Sequence, residues 1–159
     1  MLPLIDQLIR HKWWANFNLL RSIERFDPAA EDAELRKLLH HILISNRYWL
    51  LLTLDQPFID EQERLIPESH SELIDQFTAT ERIEMDWLLS VAPEDLDLRL
   101  QPRALPEITV SVAQTAIQVV LHSQGHRSQC ATRLRALGGN PAPMDFVLWV
   151  RDQEVQSKV

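Results

Sequence analysis

The stretch His122-Ser123-Gln124-Gly125-His126-Arg127-Ser128-Gln129 lies inside a run, about Val112 to Leu137, that reads as one long helix. Its two histidines stand four positions apart, which places them one turn apart on a single helix face. Thr115, Val119, Cys130, Arg133 and Leu137 continue the same row, so both imidazoles are expected to point inward and be buried. Such a pair can hold one metal ion if a third ligand arrives from another helix. His40 and His41, in the middle of a second strongly apolar segment, are the obvious source. The competing reading is a pair of satisfied core or surface histidines. A buried imidazole needs partners for both ring nitrogens, and a metal supplies one of them.

The rest of the chain reads as further helices around this one. Ile5, Leu8, Ile9, Trp13, Phe17, Leu20 and Ile23 recur at three- and four-residue steps, giving an amphipathic first helix over about Pro3 to Phe26. Asp27 and Pro28 interrupt it, and the short connection predicts that the first two helices are antiparallel neighbours. The second helix, about Ala30 to Leu54, carries more than one apolar stripe, so it lies centrally or meets another subunit. A homodimer is the expectation. Residues 55–68 have two prolines and no convincing period. Fourteen extended residues reach roughly 46 Å, whereas a 20-residue helix is about 30 Å long, so this connection can return the chain to its starting end. The third helix follows a capping-box pattern at Ser69 to Glu72, with Leu73, Phe77, Ile83, Trp87, Leu88 and Val91 on its apolar face. Leu96 to Gln101 and Glu107 to Val110 alternate around Pro102 and Pro106 and read as a small hairpin-like arm. A second capping box, Ser111 to Gln114, opens the fourth helix, and Gly138-Gly139 closes it. Met144 to Val150 is a short C-terminal helix that packs Phe146, Val147 and Trp149 on the bundle.

A chain of 159 residues fits one domain, here 1–159, with a core that needs no staples. One cysteine, Cys130, excludes an internal disulfide and a cysteine-based zinc motif. The longest apolar run, Tyr48 to Leu52, is far short of the ~20 residues of a membrane span. Asp6, Arg10, His11 and Lys12 break any signal-peptide pattern at the start, so a soluble, cytoplasmic protein with no membrane partner is expected. The formal charge of −7, from 23 acidic and 16 basic side chains, works against a nucleic-acid footprint. Three glycines in the whole chain favour an all-α fold.

Three blocks carry a more specific likeness. Leu121-His122 through His126-Arg127-Ser128-Gln129, followed by Leu134-Arg135-Ala136-Leu137-Gly138, resembles the signature of the DinB-like family of metal-dependent four-helix bundles. So does His41-Ile42-Leu43-Ile44-Ser45-Asn46-Arg47-Tyr48-Trp49, and so does Trp14-Ala15-Asn16 with Leu19-Leu20. The order is right and nearly the whole chain is spanned. One departure is Ser128, where the family usually has glycine at a position that is not a ligand.

The resemblance implies an up-down-down-up bundle, frequent homodimers, and a metal held by the residues that match the family's ligands, His41, His122 and His126. His40 points about 100° away from that position along its helix. Trp14, Asn16 and Trp49 are candidates to line the pocket over the ion, with plain core packing as their alternative. Arg127 and Gln129 belong to the signature and are candidates for hydrogen bonds between helices. Cys130 reads as a buried small hydrophobe, and His11 and His70 as solvated or capping residues. Imidazole ligands suit zinc, nickel, iron and copper alike, and zinc or nickel is the first expectation, with iron or copper next. Three neutral ligands leave the ion's charge uncompensated and a coordination position open, the pattern of a reactive site. The implied activity is a thiol-dependent transferase that uses a low-molecular-weight thiol on a small-molecule substrate. The alternatives are a hydrolase using metal-bound water and a non-enzymatic, stress-associated binding or scaffold module. No carboxylate stands out as a general base, so no catalytic residue is assigned.

Overall fold

In a computed structural model, which describes residues 1–157, the chain is an all-α bundle with one two-stranded ribbon. Four long helices make the frame: α1 (Leu2–Glu24), α3 (Ala33–Thr53), α5 (His70–Ser90) and α6 (Val112–Ala136). Two one-turn helices, α2 (Asp27–Ala30) and α4 (Asp60–Glu63), lie in the connections, and α7 (Phe146–Gln156) follows the bundle.

Local chemistry accounts for most boundaries. Pro3 occupies the first turn of α1, where a missing N–H costs nothing. The Asp32 carboxylate accepts from the Leu35 N–H at 2.8 Å and starts α3. Ser69 caps α5 through the Glu72 N–H, whereas the Glu72 carboxylate reaches back to the Glu68 N–H, one residue before the expected partner. Ser111 and Gln114 form the full reciprocal box that opens α6. After α6 the backbone turns through Gly138, whose φ of +95° only glycine adopts without strain.

The hairpin is smaller than its sequence pattern. Pro93–Asp97 forms a 3₁₀ turn that buries Leu96, and only Arg99–Leu100 (β1) and Val110–Ser111 (β2) pair, antiparallel, with Arg99 opposite Ser111. α7 is longer than expected and starts at Phe146. Of its apolar side chains Trp149 is buried and Val147 faces out. Phe17 also leaves the predicted stripe of α1 and is exposed, with the Arg21 guanidinium over its ring at 5.6 Å from the centroid.

Helix directions follow from side-chain pairs. Asp32 and Thr53, at the two ends of α3, bond to Arg133 and Thr115, at the opposite ends of α6, so α3 and α6 are antiparallel. Arg36 reaches the Glu68 carbonyl and Arg47 reaches Thr80, so α3 and α5 run the same way. The packing partners of α1 are α6 and α5, and those of α3 are again α6 and α5. The first two long helices are therefore not the side-by-side neighbours that their short connection predicts; they face each other across the core, where Lys12 meets Asn46. The several apolar sides of α3 are covered within the chain, since Leu35, Leu39, Ile42, Leu43, Leu50 and Leu51 are all buried. Leu38, Ile44, Tyr48 and Leu52 of the same helix are half-buried.

The core is not purely apolar. Lys12 is fully buried and donates to the Glu84 carboxylate at 2.5 Å and to the Asn46 carbonyl oxygen at 2.9 Å, while the Trp13 indole N–H donates to Glu84 as well. Burial pulls the Lys12 ammonium below its usual value, and the Glu84 charge opposes that shift. One ion pair therefore ties α1, α3 and α5 together. Removing one partner leaves the other charged and unpaired in a dry site, at a cost of about 3–5 kcal/mol. Lys12→Met should lower stability in urea denaturation by that amount. The double variant Lys12→Met/Glu84→Leu should recover most of the loss, and additive losses would show that the pair does not act as a unit.

Candidate metal centre

His41 lies on α3, and His122 and His126 lie one turn apart on α6. Antiparallel packing of the two helices brings the three rings together at one level, between the Asp32–Arg133 bond at one end and the Thr53–Thr115 bond at the other. Ring centroids are 5.0 Å apart for His41 and His122, 4.5 Å for His41 and His126, and 4.4 Å for His122 and His126. One nitrogen from each ring lies within 4.8 Å of the others, and no carboxylate or thiol joins the group. Nitrogens about 2.1 Å from a common ion are at most roughly 4.2 Å apart, so a grouping within 4.8 Å is of the right size for one ion.

The rings are not buried in the bundle as the inward row predicts. His41 is exposed and the other two are half-buried, at the edge of the α3–α6 seam. The row itself turns: Val119 and Cys130 are buried on either side of the histidines. Partial burial lowers the affinity of His41 for protons, and His126 adds a like-charge contribution. His122 is driven down to about 4, first by desolvation and then by His126 and His41. His41 and His122 therefore stay neutral at physiological pH, the state in which imidazole donates a lone pair. The His126 Nδ1–H donates to Gln129 Oε1 at 2.8 Å, which leaves its Nε2 lone pair free.

The other three histidines are spoken for. His11 donates through Nε2 to the Met144 carbonyl, His40 to the Glu63 carbonyl and His70 to the Leu20 carbonyl. All three are buried, so His11 and His70 are interior clamps rather than solvated or capping residues. His11 also stacks edge-on against Phe146 and anchors the chain after α6. The separation of His40 from the cluster follows its rotation along α3.

A cavity of about 830 Å³ opens beside His41 and His122. Trp49 lines it, as expected, together with Tyr48, Phe58, Asp60, Arg64 and Arg103. Trp14 and Asn16 do not. Trp14 sits in a separate groove with Arg10, Trp13 and Glu81 and lies 6.0 Å from the His11 ring. Asn16 is buried and accepts from Arg127 Nη1 at 2.9 Å, which is the helix-to-helix role open to that arginine. Both belong to α1, which faces α3 across the core. Cys130 is fully buried, and desolvation pushes its thiol up to about 12, so it supplies no thiolate.

The side chains that sequence reasoning missed are the pocket's cations and the buried pair. Arg64 and Arg103 come from connections, which have no periodicity to read. Lys12 and Glu84 did leave a signal: Ile5, Ile9, Lys12, Asn16 and Leu73, Phe77, Thr80, Glu84, Leu88 are buried rows at helical spacing, each holding one charge of opposite sign.

His11, His40 and His70 are held neutral chiefly by burial, below their ordinary value of 6.5. As pH falls through 6.5 the unfolded chain takes up protons that the folded chain resists, so the contribution of these rings is complete above 6.5 and is lost on acidification. The melting temperature of the metal-free protein should therefore fall from pH 7 to pH 5. His70→Gln, which keeps a donor for the Leu20 carbonyl without titrating, should flatten that slope.

No helix among the described residues is long and apolar enough to cross a membrane. No curated protein matches the chain. The family model described as DinB family matches residues 1–157, so the three-histidine cluster stands in a chain that belongs to the DinB family.

Proposed function

We propose that His41, His122 and His126 bind one divalent transition metal, zinc or nickel before iron or copper, and that the protein is a metal-dependent transferase whose nucleophile is a low-molecular-weight thiol. The observation that carries this is the grouping of three imidazoles, without a carboxylate, at the wall of an open cavity. Such an ion supplies Lewis acidity and favours the thiolate form of a thiol presented to it.

The chain's own residues divide the remaining work. The α3–α6 seam holds the three rings in place, and Gln129 keeps His126 in the tautomer that offers Nε2. Tyr48, Trp49 and Phe58 make an apolar wall that limits water beside the rings, with Tyr48 packed edge-on against both neighbours. The acidic side chain lining the cavity, Asp60, is paired with Arg64 at 3.2 Å and does not join the histidine group. That favours a thiol, whose ordinary pKa is about 8.5, over water, which requires much more help to lose a proton. A purely structural ion is disfavoured because the apolar core, from Ile5 to Leu134, is complete without the half-exposed histidines.

Elemental analysis of tag-free protein tests the first half. Near-stoichiometric metal in wild type, and its loss in His126→Ala with little change in melting temperature, is the expected result. Metal in neither protein, even after incubation with zinc and nickel, overturns the assignment. Gln129→Ala should weaken zinc binding about tenfold in competition with a chelator, and Gln129→Glu should retain it. Physiological thiols should bind only the metal-loaded form in calorimetry. Equal binding to His122→Ala/His126→Ala removes the transferase reading, and turnover of esters or amides without thiol, rising with pH, would replace it with hydrolysis.

A further inference from the structure

The cavity beside the histidines is electrostatically unlike the molecule that contains it. The chain has a formal charge of −7, yet the cavity is lined by two arginines and one carboxylate. Arg64 is the C-terminal cap of α4 and shares its charge with Asp60. Arg103 has no ion-pair or hydrogen-bond partner among the described residues, and its loop is fastened to the cavity wall by the Ala104 N–H, which donates to Tyr48 Oη at 3.0 Å. That bond brings a free guanidinium to the rim and uses the polar end of the aromatic ring that forms the wall. The same space also has an apolar lining: Trp49 is buried, and Tyr48 and Phe58 meet with ring centroids 5.3 Å apart.

We propose that this cavity binds a small molecule with an apolar body and an anionic end, the body against Tyr48, Trp49 and Phe58 and the carboxylate or equivalent anion on Arg103 and Arg64. Planar guanidinium groups match a carboxylate in two parallel hydrogen bonds. A space of about 830 Å³ suits one ligand of that size. This deepens the reading of the cavity as the substrate pocket of the histidine site, but it does not depend on an ion being present, because neither arginine belongs to the cluster.

The test is calorimetric titration of the metal-free full-length protein with phenylbutyrate and with its neutral amide, which share a body and differ in charge. The carboxylate should bind about tenfold more tightly than the amide at low salt, and the preference should shrink as salt is raised. Arg103→Gln and Arg64→Gln should each reduce that preference, and the double variant should remove it with amide affinity unchanged within about twofold. Trp49→Ala should weaken both ligands alike. Equal affinities for the two ligands, no saturable binding of either, or a preference that survives in the double arginine variant overturns the proposal. The same titrations on His41→Ala/His126→Ala separate the two readings: the carboxylate preference should persist there while zinc binding is lost. Failure of the metal assignment thus leaves this result standing, and the reverse.

Discussion

Everything at the candidate site depends on the antiparallel seam between α3 and α6. Two polar bonds, Asp32 with Arg133 and Thr53 with Thr115, set the register of that seam near its ends. Between them the helices have no freedom to slide by a turn without breaking both bonds and separating buried Leu39, Ile42 and Leu43 from their packing. The distance of His41 from His122 and His126 is a reading of that register. Asp32 serves twice, since the same carboxylate caps α3 and receives Arg133, and those bonds hold it below the usual carboxylate range.

A second polar system lies deeper, in the core between the helices. Lys12, Glu84 and Asn46 join three helices in the core, and Arg127 with Asn16 joins α6 to α1. Buried groups of this kind contribute little net stability compared with apolar side chains of the same size, but each has few acceptable positions. They discriminate against bundles in which a helix is rotated or shifted. The apolar rows alone, rich in leucine and isoleucine, tolerate such shifts more easily.

The fold was legible because four long amphipathic segments and their caps dominate the chain. Ser111 and Gln114 behave as their spacing indicates, and the length of 55–68 leaves room for α5 to return parallel to α3. The three histidines came together because two share a helix turn and the third lies in a motif shared with the DinB family. What was not legible has physical reasons. Burial of His11, His40 and His70 depends on backbone carbonyls from distant segments, which side-chain patterns do not reveal. Trp14 is adjacent in sequence to core positions of α1 and Asn16 is one of them, but α1 meets a different face of α6 from the one that carries the histidines. The neighbours of α3 were misjudged because loop length limits separation without deciding which helices fill the space between.

The cavity's walls come from two kinds of structure. The histidines, Tyr48 and Trp49 stand on the rigid helical frame, whereas Phe58, Arg64 and Arg103 stand on segments that merely cross its end. Residues of the frame are tied to core packing and cannot change without disturbing the seam. Those crossing segments bear almost none of the core, so their side chains are free to be exchanged. A lineage built on this plan can keep its three-histidine cluster while the side chains that face it are exchanged, much as a lathe keeps its spindle while the tool in front of it is replaced.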